Sequence, residues 1–328
     1  MVTSAGQLSR VAVIGGILLA LSAPVRAQLA RLPEIELTPP SELFHSEANL
    51  PPDMPYVDVD QRLDGYSAPP PGYGEPVYGE FLPDGSIYRS YLAGVKESRM
   101  SATFFDDQGE GPYMDGTLGG RFGIYRYGTH DPVRPTGIQL DVEGSAQLRL
   151  DMTNSDRDLA AVDFRVGVPL TWGDEFYQCK LSYYHLSSHV GDEYYIKHPG
   201  FNRLNYSRDV LVAGYSLYPW ENVRLYIEAG WAFYSDVSQE WEFQYGIDYA
   251  PLHATTMRGA PFFAVNAHQR HEVNFGGNLT VQTGWAWRCE RNGRLFRIGL
   301  HYYTGESSQY SFFDRFENQL GVGIWYDL

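Results

Sequence analysis

The sequence predicts an all-β protein: an antiparallel transmembrane β-barrel of about twelve strands, preceded by a signal peptide and a Pro-rich segment. Three observations predict it. From about Tyr91 to the C-terminus, segments alternate apolar and polar side chains, the period of two required of a strand with one face in lipid. The 328 residues include 25 Tyr, 17 Phe, 7 Trp and 34 Gly, and aromatics favour strands and membrane interfaces. Beyond the N-terminal segment no apolar run could span a bilayer as a helix, and the mean hydropathy is −0.34. A membrane-spanning chain of this kind must cross as strands, the other structure that satisfies its backbone hydrogen bonds inside lipid.

The elements follow in order. Arg10 supplies a small positive region, 11–21 is an apolar run, and Val25 and Ala27 sit at the −3 and −1 positions of a cleavage site before Gln28. This layout is too short for a spanning helix and reads as a secretory signal, residues 1–27. Residues 28–90 contain Pro39-Pro40, Pro51-Pro52 and Pro69-Pro70-Pro71 with weak apolar periodicity. They read as an extended periplasmic segment that is either a tether or folded against the barrel mouth. Residues 91–328 read as the outer-membrane barrel.

The clearest strand begins at Ile138. Ile138, Leu140, Val142, Ala146, Leu148 and Leu150 share one face, and Gln139, Asp141, Glu143, Gln147 and Arg149 share the other. The pattern recurs around Phe164, Ile227, Tyr245 and Val281. It ends with Leu320, Val322, Ile324, Tyr326 and Leu328 on one face, and a strand ending there resembles the terminal signal of outer-membrane barrels. The expected strands are 95–105, 117–127, 137–150, 160–172, 176–187, 205–218, 223–234, 240–249, 261–269, 273–288, 295–304 and 314–328. Short links at 172–175 and 219–222 should be periplasmic, and the long link 188–204 should lie outside. The competing fold, a soluble exported β-sandwich, requires neither an even strand count nor a strand at the C-terminus.

Charge narrows the function. A net charge of −15 argues against nucleic acid as a partner. Charged residues on the inner face, including Asp141, Glu143, Arg149, Asp163, Arg165, Arg224 and Glu228, should pair within a packed lumen, because so few strands leave little room. Cys179 and Cys289 fall on well-separated elements and are expected to be two unpaired thiols.

One stretch carries candidate chemistry: Tyr183-Tyr184-His185-Leu186-Ser187-Ser188-His189-Val190-Gly191-Asp192-Glu193. His185 and Ser187 lie two apart on a strand and so face the same side, roughly 7 Å apart by strand rise. A nucleophile and a general base can be built this way. Parity puts both on the outer surface with Tyr177, Cys179, Leu181 and Tyr183. On the following strand Asn205, Ser207 and Asp209 share that side, and Asn205 or Asp209 could orient His185. His189 with Asp192 and Glu193 is a candidate divalent-cation site, set against a solvated loop.

His185-Leu186-Ser187 resembles the His-x-Ser of outer-membrane phospholipase A and of lipid A deacylase. Asn202-Arg203-Leu204 resembles the Asn-Arg-Leu of the phospholipase. The resemblance implies Ser187 as nucleophile, His185 as base, Asn202 as orienting residue and calcium as a cofactor. A longer resemblance runs from about Leu92 to Leu328. The 184–193 stretch, Asp163-Phe164-Arg165-Val166-Gly167-Val168-Pro169-Leu170 and Asn205-Tyr206-Ser207-Arg208-Asp209 resemble an exported family known as domain of unknown function 1207, which implies no activity. Two functions are therefore expected: a lipid or acyl-ester hydrolase acting on membrane lipid, or a non-enzymatic barrel serving as a narrow channel or structural outer-membrane protein.

Overall fold

The computed structural model describes residues 77–153 and 155–328; the expected signal peptide and most of the Pro-rich segment lie outside them. The described chain forms thirteen strands. They are β1 (Tyr78–Phe81), β2 (Met100–Asp107), β3 (Gly111–Gly128), β4 (Gly137–Asp151), β5 (Leu159–Gly173), β6 (Tyr177–Val190), β7 (Tyr206–Trp220), β8 (Val223–Ser235), β9 (Trp241–Tyr249), β10 (Ala260–Arg270), β11 (Gly277–Arg288), β12 (Leu295–Glu306) and β13 (Phe316–Asp327). From β2 to β13 each strand pairs antiparallel with the next. β13 then pairs with β2 from Gln319↔Asp107 to Tyr326↔Met100. This last ladder closes a twelve-stranded barrel and removes both open edges. Among the described residues no helix is long and apolar enough to cross a membrane.

The extra strand is short. β2 covers β3 only from Gly111 to Thr117, and β1 fills part of the edge left open below it, pairing Tyr78–Phe81 with Tyr125–Gly128. A bulge between Gly123 and Tyr125 lies between these two partners. Links at the barrel end that holds the C-terminus are set by local chemistry. Gly173 takes φ 156°, and the Asp174 carboxylate accepts hydrogen bonds from the backbone N–H of Phe176 and Tyr177 at 2.7 and 2.9 Å. The turn therefore closes on its own residues.

The outer wall follows the expected parity. Phe164, Val166 and Val168 on β5, Ile227 and Trp231 on β8, and Leu320, Val322 and Ile324 on β13 are all exposed, while their alternate neighbours are buried or, at Arg165 and Gly321, half-buried. The inner wall is polar and paired. Glu143 accepts from Arg121 Nε at 2.9 Å and pairs with Arg165 at 3.1 Å. Arg149 bridges Asp115 at 2.7 Å and Glu317. Lys180 meets Glu228 at 2.5 Å.

Two segments fill the lumen between these walls. Residues 82–99 enter from the C-terminal mouth and bury Ile87, Tyr88, Tyr91 and Ala93 completely. Tyr91 stacks on Tyr226 with centroids 3.9 Å apart and donates to Glu228 at 2.7 Å. Arg121 and Arg224 donate to the carbonyls of Tyr88 and Arg89 at 2.6 and 2.8 Å. At the opposite mouth the 307–315 link folds inward. Ser188 and Ser311 hydroxyls meet at 2.7 Å, and Tyr310 packs on Tyr206 at 4.9 Å. The two segments meet at Asp163, whose carboxylate takes the Lys96 ammonium at 2.5 Å and the Tyr310 backbone N–H at 3.2 Å.

Three expected boundaries change, the first of them because of this plug. The strand expected at 95–105 starts at Met100, because Lys96 and Arg99 turn into the lumen instead of joining the wall; Arg99 donates to the carbonyls of Leu92 and Tyr91. The strand expected from 117 starts at Gly111, paired to β2 through Gly and Pro residues that break the alternation. The strand expected from 273 starts at Gly277, after a single 3-10 turn at His271–Val273. β1 and much of the plug lie N-terminal to residue 91. Cys179 and Cys289 are both free thiols.

The buried pairs yield a stability prediction. Glu143→Gln leaves Arg121 and Arg165 in the lumen without their carboxylate, and such a loss costs about 3–5 kcal/mol. Urea unfolding in detergent micelles, followed by tryptophan fluorescence, should show a clear fall in midpoint. Glu193→Gln, on an exposed link, should stay within about 0.5 kcal/mol of the wild type.

Candidate functional site

β6 and β7 lie side by side, and their register pairs His185 with Asp209 and Ser187 with Ser207. Odd-numbered residues of both strands face outward, so His185, Ser187, Ser207 and Asp209 lie on the outer wall, partly exposed. Even-numbered neighbours such as Tyr184, Leu186, Ser188 and Arg208 are buried in the lumen. Alternation alone produces this division.

Asp209 organises the group. Its Oδ1 lies 2.9 Å from His185 Nδ1 and accepts a hydrogen bond from the Tyr183 hydroxyl at 2.7 Å. A carboxylate on Nδ1 makes that nitrogen the N–H donor, so Nε2 presents its lone pair outward. The neighbourhood is aromatic. Between the pairs Asp209↔Tyr234 and Val210↔Ala232, β8 carries one extra residue, Phe233. This bulge turns Phe233 and Tyr234 both to the outside, 50 and 53 % exposed. Phe233 lies 6.3 Å from the Tyr183 ring. Phe164 stands directly across β5 from Ser187. A bulge beside a polar group is a common way to re-aim side chains next to a site.

Ser187 and His185 thus share a face, and the carboxylate beside them is Asp209. The Ser187 hydroxyl makes no side-chain hydrogen bond among the described residues, to His185 or to any other. Neither asparagine reaches the imidazole. Asn205 lies ahead of β7 and donates to Asp236 at 3.5 Å, while Asn202 is exposed on the 191–205 link. Of the three candidate orienting residues, Asp209 alone holds His185, because it alone stands in register opposite it. Tyr183, which completes the group, was legible only as an outward aromatic; its bond to Asp209 depends on the strand register.

The structure does not gather the three candidate cation ligands. Asp192 is held by Arg203 at 2.6 Å. Glu193 lies with it in the first turn of a short helix, α1 (Asp192–Lys197), whereas His189 projects from the barrel wall near Phe164. Among the described residues no three His, Cys, Asp or Glu side chains gather to hold a metal. Calcium takes six to eight oxygen ligands, and this donor set, with one carboxylate committed to a guanidinium, does not fit it.

Because the imidazole tautomer is set by a single carboxylate, it is testable. In ¹⁵N NMR of detergent-solubilised protein, His185 should show the Nδ1–H form. Asp209→Ala should shift it towards the Nε2–H form that an unrestrained imidazole favours, and Ser207→Ala should leave it unchanged.

Comparison with known proteins agrees with this architecture. The family model of a protein of unknown function, DUF1207, matches residues 77–328, and the chain belongs to that family. A search of curated proteins finds no sequence match. Among solved structures, the outer membrane phospholipase dimer of Salmonella typhi with bound calcium is similar over 74 % of this chain and 92 % of that one, at 10 % identity and a TM-score of 0.50. Outer membrane phospholipase A of Escherichia coli is similar at 10 % identity and a TM-score of 0.49, over 74 % of this chain and 98 % of that one. The KdgM porin is similar at 8 % identity and 0.38, over 70 and 98 %. At 10 % identity the likeness to the Salmonella typhi protein is one of fold: an outer-membrane-type barrel.

Proposed function

We propose that this member of the family is an outer-membrane acyl-ester hydrolase whose site faces the lipid, with Ser187 as nucleophile, His185 as general base and Asp209 as the residue that holds the base. The observation that carries the proposal is the 2.9 Å contact between His185 Nδ1 and Asp209 Oδ1 on the outer wall, two residues from Ser187. In this reading the Ser187 hydroxyl attacks the ester carbonyl and its proton passes to His185 Nε2. The tetrahedral adduct collapses, and the leaving alcohol takes that proton. Water, deprotonated by the same nitrogen, then releases the fatty acid and restores Ser187. Asp209 stabilises the imidazolium at each stage. The missing Ser187–His185 hydrogen bond is compatible with this reading, since such contacts commonly tighten only when substrate binds.

The surroundings suit a lipid. Leu181 and Leu211 lie below the group and Phe164, Phe233 and Tyr234 beside it, all exposed on the outer wall. An acyl chain lying along this face would bring its ester to the height of Ser187. The proposal includes export through residues 1–27, residues 28–76 on the periplasmic side, and the C-terminal mouth facing the periplasm.

The competing reading is a non-enzymatic structural barrel, favoured by the unbonded Ser187 hydroxyl. A conducting pore is harder to build, since residues 82–99 and 307–315 occupy the lumen. Detergent-solubilised protein assayed with a phospholipid or a long-chain acyl ester separates the two. Ser187→Ala should abolish turnover, and His185→Ala should lower it by about 10²–10⁴-fold. Asp209→Asn should lose less than Asp209→Ala. Equal turnover by wild type and Ser187→Ala would sink the assignment.

A further inference from the structure

The C-terminal mouth carries a second polar site on the opposite side of the wall and at the other end of the barrel. Two cavities adjoin there. One is lined by Arg89, Arg134, Arg224 and Arg288, and the other shares Arg89 and Arg288 with it. Four arginines at one mouth of a chain with net charge −15 call for a physical reason.

Most other inward-facing arginines are matched by carboxylates; Arg126 is the exception, donating to Gln139 Oε1 at 2.7 Å and to backbone carbonyls. Arg121, Arg149, Arg165, Arg208, Arg270 and Arg297 each have a carboxylate within 4 Å. Three of the four mouth arginines, Arg89, Arg134 and Arg288, depart from this pattern. Arg288 donates to the backbone carbonyls of Pro251 and Gly293 at 2.6 and 2.5 Å. Arg134 donates to the carbonyls of Glu175 and Glu221 at 3.1 and 2.5 Å. Neither has an ion pair among the described residues, and the Arg89 side chain has neither an ion pair nor a hydrogen bond there. Arg224, 4 % exposed, donates to Ser216 Oγ at 2.9 Å and the Arg89 carbonyl at 2.8 Å, and its carboxylate, Asp248, lies farther away, at 3.8 Å, than those of the six arginines above. Both Arg89 Nη2 and Arg224 Nη2 are buried donors without a partner among the described residues.

The side-chain carboxylates lining the two cavities are mostly engaged by other groups. Asp327 is taken by Arg297 at 2.8 Å and Arg99 at 2.9 Å. Asp248 accepts the Leu92 backbone N–H at 3.3 Å. Glu221 is largely exposed, beside His253 at 3.6 Å. Arg224 and Arg288 are buried and Arg89 and Arg134 half-buried; a guanidinium withdrawn from water with an unsatisfied N–H is costly, and four converging on one cavity form a donor set that fits phosphate or carboxylate oxygens.

We propose that this mouth is an oxyanion-binding site, in which Arg89, Arg224 and Arg288 hold a phosphate or carboxylate group and Arg134 closes over it from the 129–136 link. Arg89 belongs to the plug, and Arg134, Arg224 and Arg288 to the wall and its link, so a bound anion would also tie plug to barrel. This site is independent of the proposed hydrolase activity.

The full chain in detergent micelles at low salt is titrated calorimetrically with inorganic pyrophosphate and, separately, with citrate. Saturable binding of pyrophosphate alone assigns a phosphate ligand, of citrate alone a carboxylate ligand, and of both a general oxyanion site. Arg89→Gln should weaken binding by about tenfold or more without lowering the unfolding midpoint, since its side chain bonds nothing. Arg134→Gln serves as a second variant should Arg89→Gln fail to fold, with the same expected loss. Arg315→Gln, at the other mouth, should bind as wild type. Absence of saturable binding for both anions, or unchanged affinity in the folded Arg89 or Arg134 variant, would overturn the proposal.

Discussion

Every feature of this molecule depends on the requirement that no backbone N–H or C=O be left unpaired in lipid. The ladder between β13 and β2 meets it, and the cost of opening that ladder holds the two ends of the barrel sequence together across more than two hundred residues. Closure fixes strand parity all the way round, because a one-residue slip at any seam would exchange the faces. The outward position of His185, Ser187 and Asp209 and the inward position of Glu143, Arg149 and Asp163 are consequences of the same constraint.

A closed barrel of this size creates a second problem, a narrow interior lined with charge. The chain solves it by pairing and by filling. Ion pairs such as Arg121–Glu143–Arg165 neutralise the wall. The plug then supplies backbone carbonyls to Arg121 and Arg224, and aromatic rings stack against Tyr226. Asp163 is where plug, wall and inward-folded link converge, so the interior behaves as a polar core with several interlocked partners. With the lumen filled, the His185–Asp209 pair stands on the outer wall and the arginine mouth at the opposite end of the barrel.

Much of this was legible in the sequence. Alternation over 138–150 or 320–328 is a direct consequence of one lipid face and one polar face, and it marked all twelve barrel strands. It could not show that 95–99 leave the wall, because the carboxylates that draw Lys96 and Arg99 inward, Asp163 and Asp327, lie far away in the chain. β1 was hidden for a similar reason: its four residues pair only because β2 is too short to cover β3. At the candidate site, parity identified the outward face and favoured Asn205 and Asp209 over Asn202, but could not choose between those two. That choice depends on the β6–β7 register, set by how much of the 191–205 link is used before pairing resumes. His189, Asp192 and Glu193 are close in sequence but diverge where the strand gives way to a helix. The glycine and proline at the start of β3 break the alternation, so its first turn of pairing was invisible to a period-two search.

The central claim is that Ser187 is activated by an imidazole held by Asp209 on a surface that lipid covers. The most direct measurement is covalent labelling of the folded protein in micelles with a long-chain alkyl sulfonyl fluoride, read by peptide mass spectrometry. The account predicts a single adduct on Ser187, strongly reduced in His185→Ala and in Asp209→Ala. Absence of an adduct on Ser187, or labelling unaffected by removing His185, would contradict it.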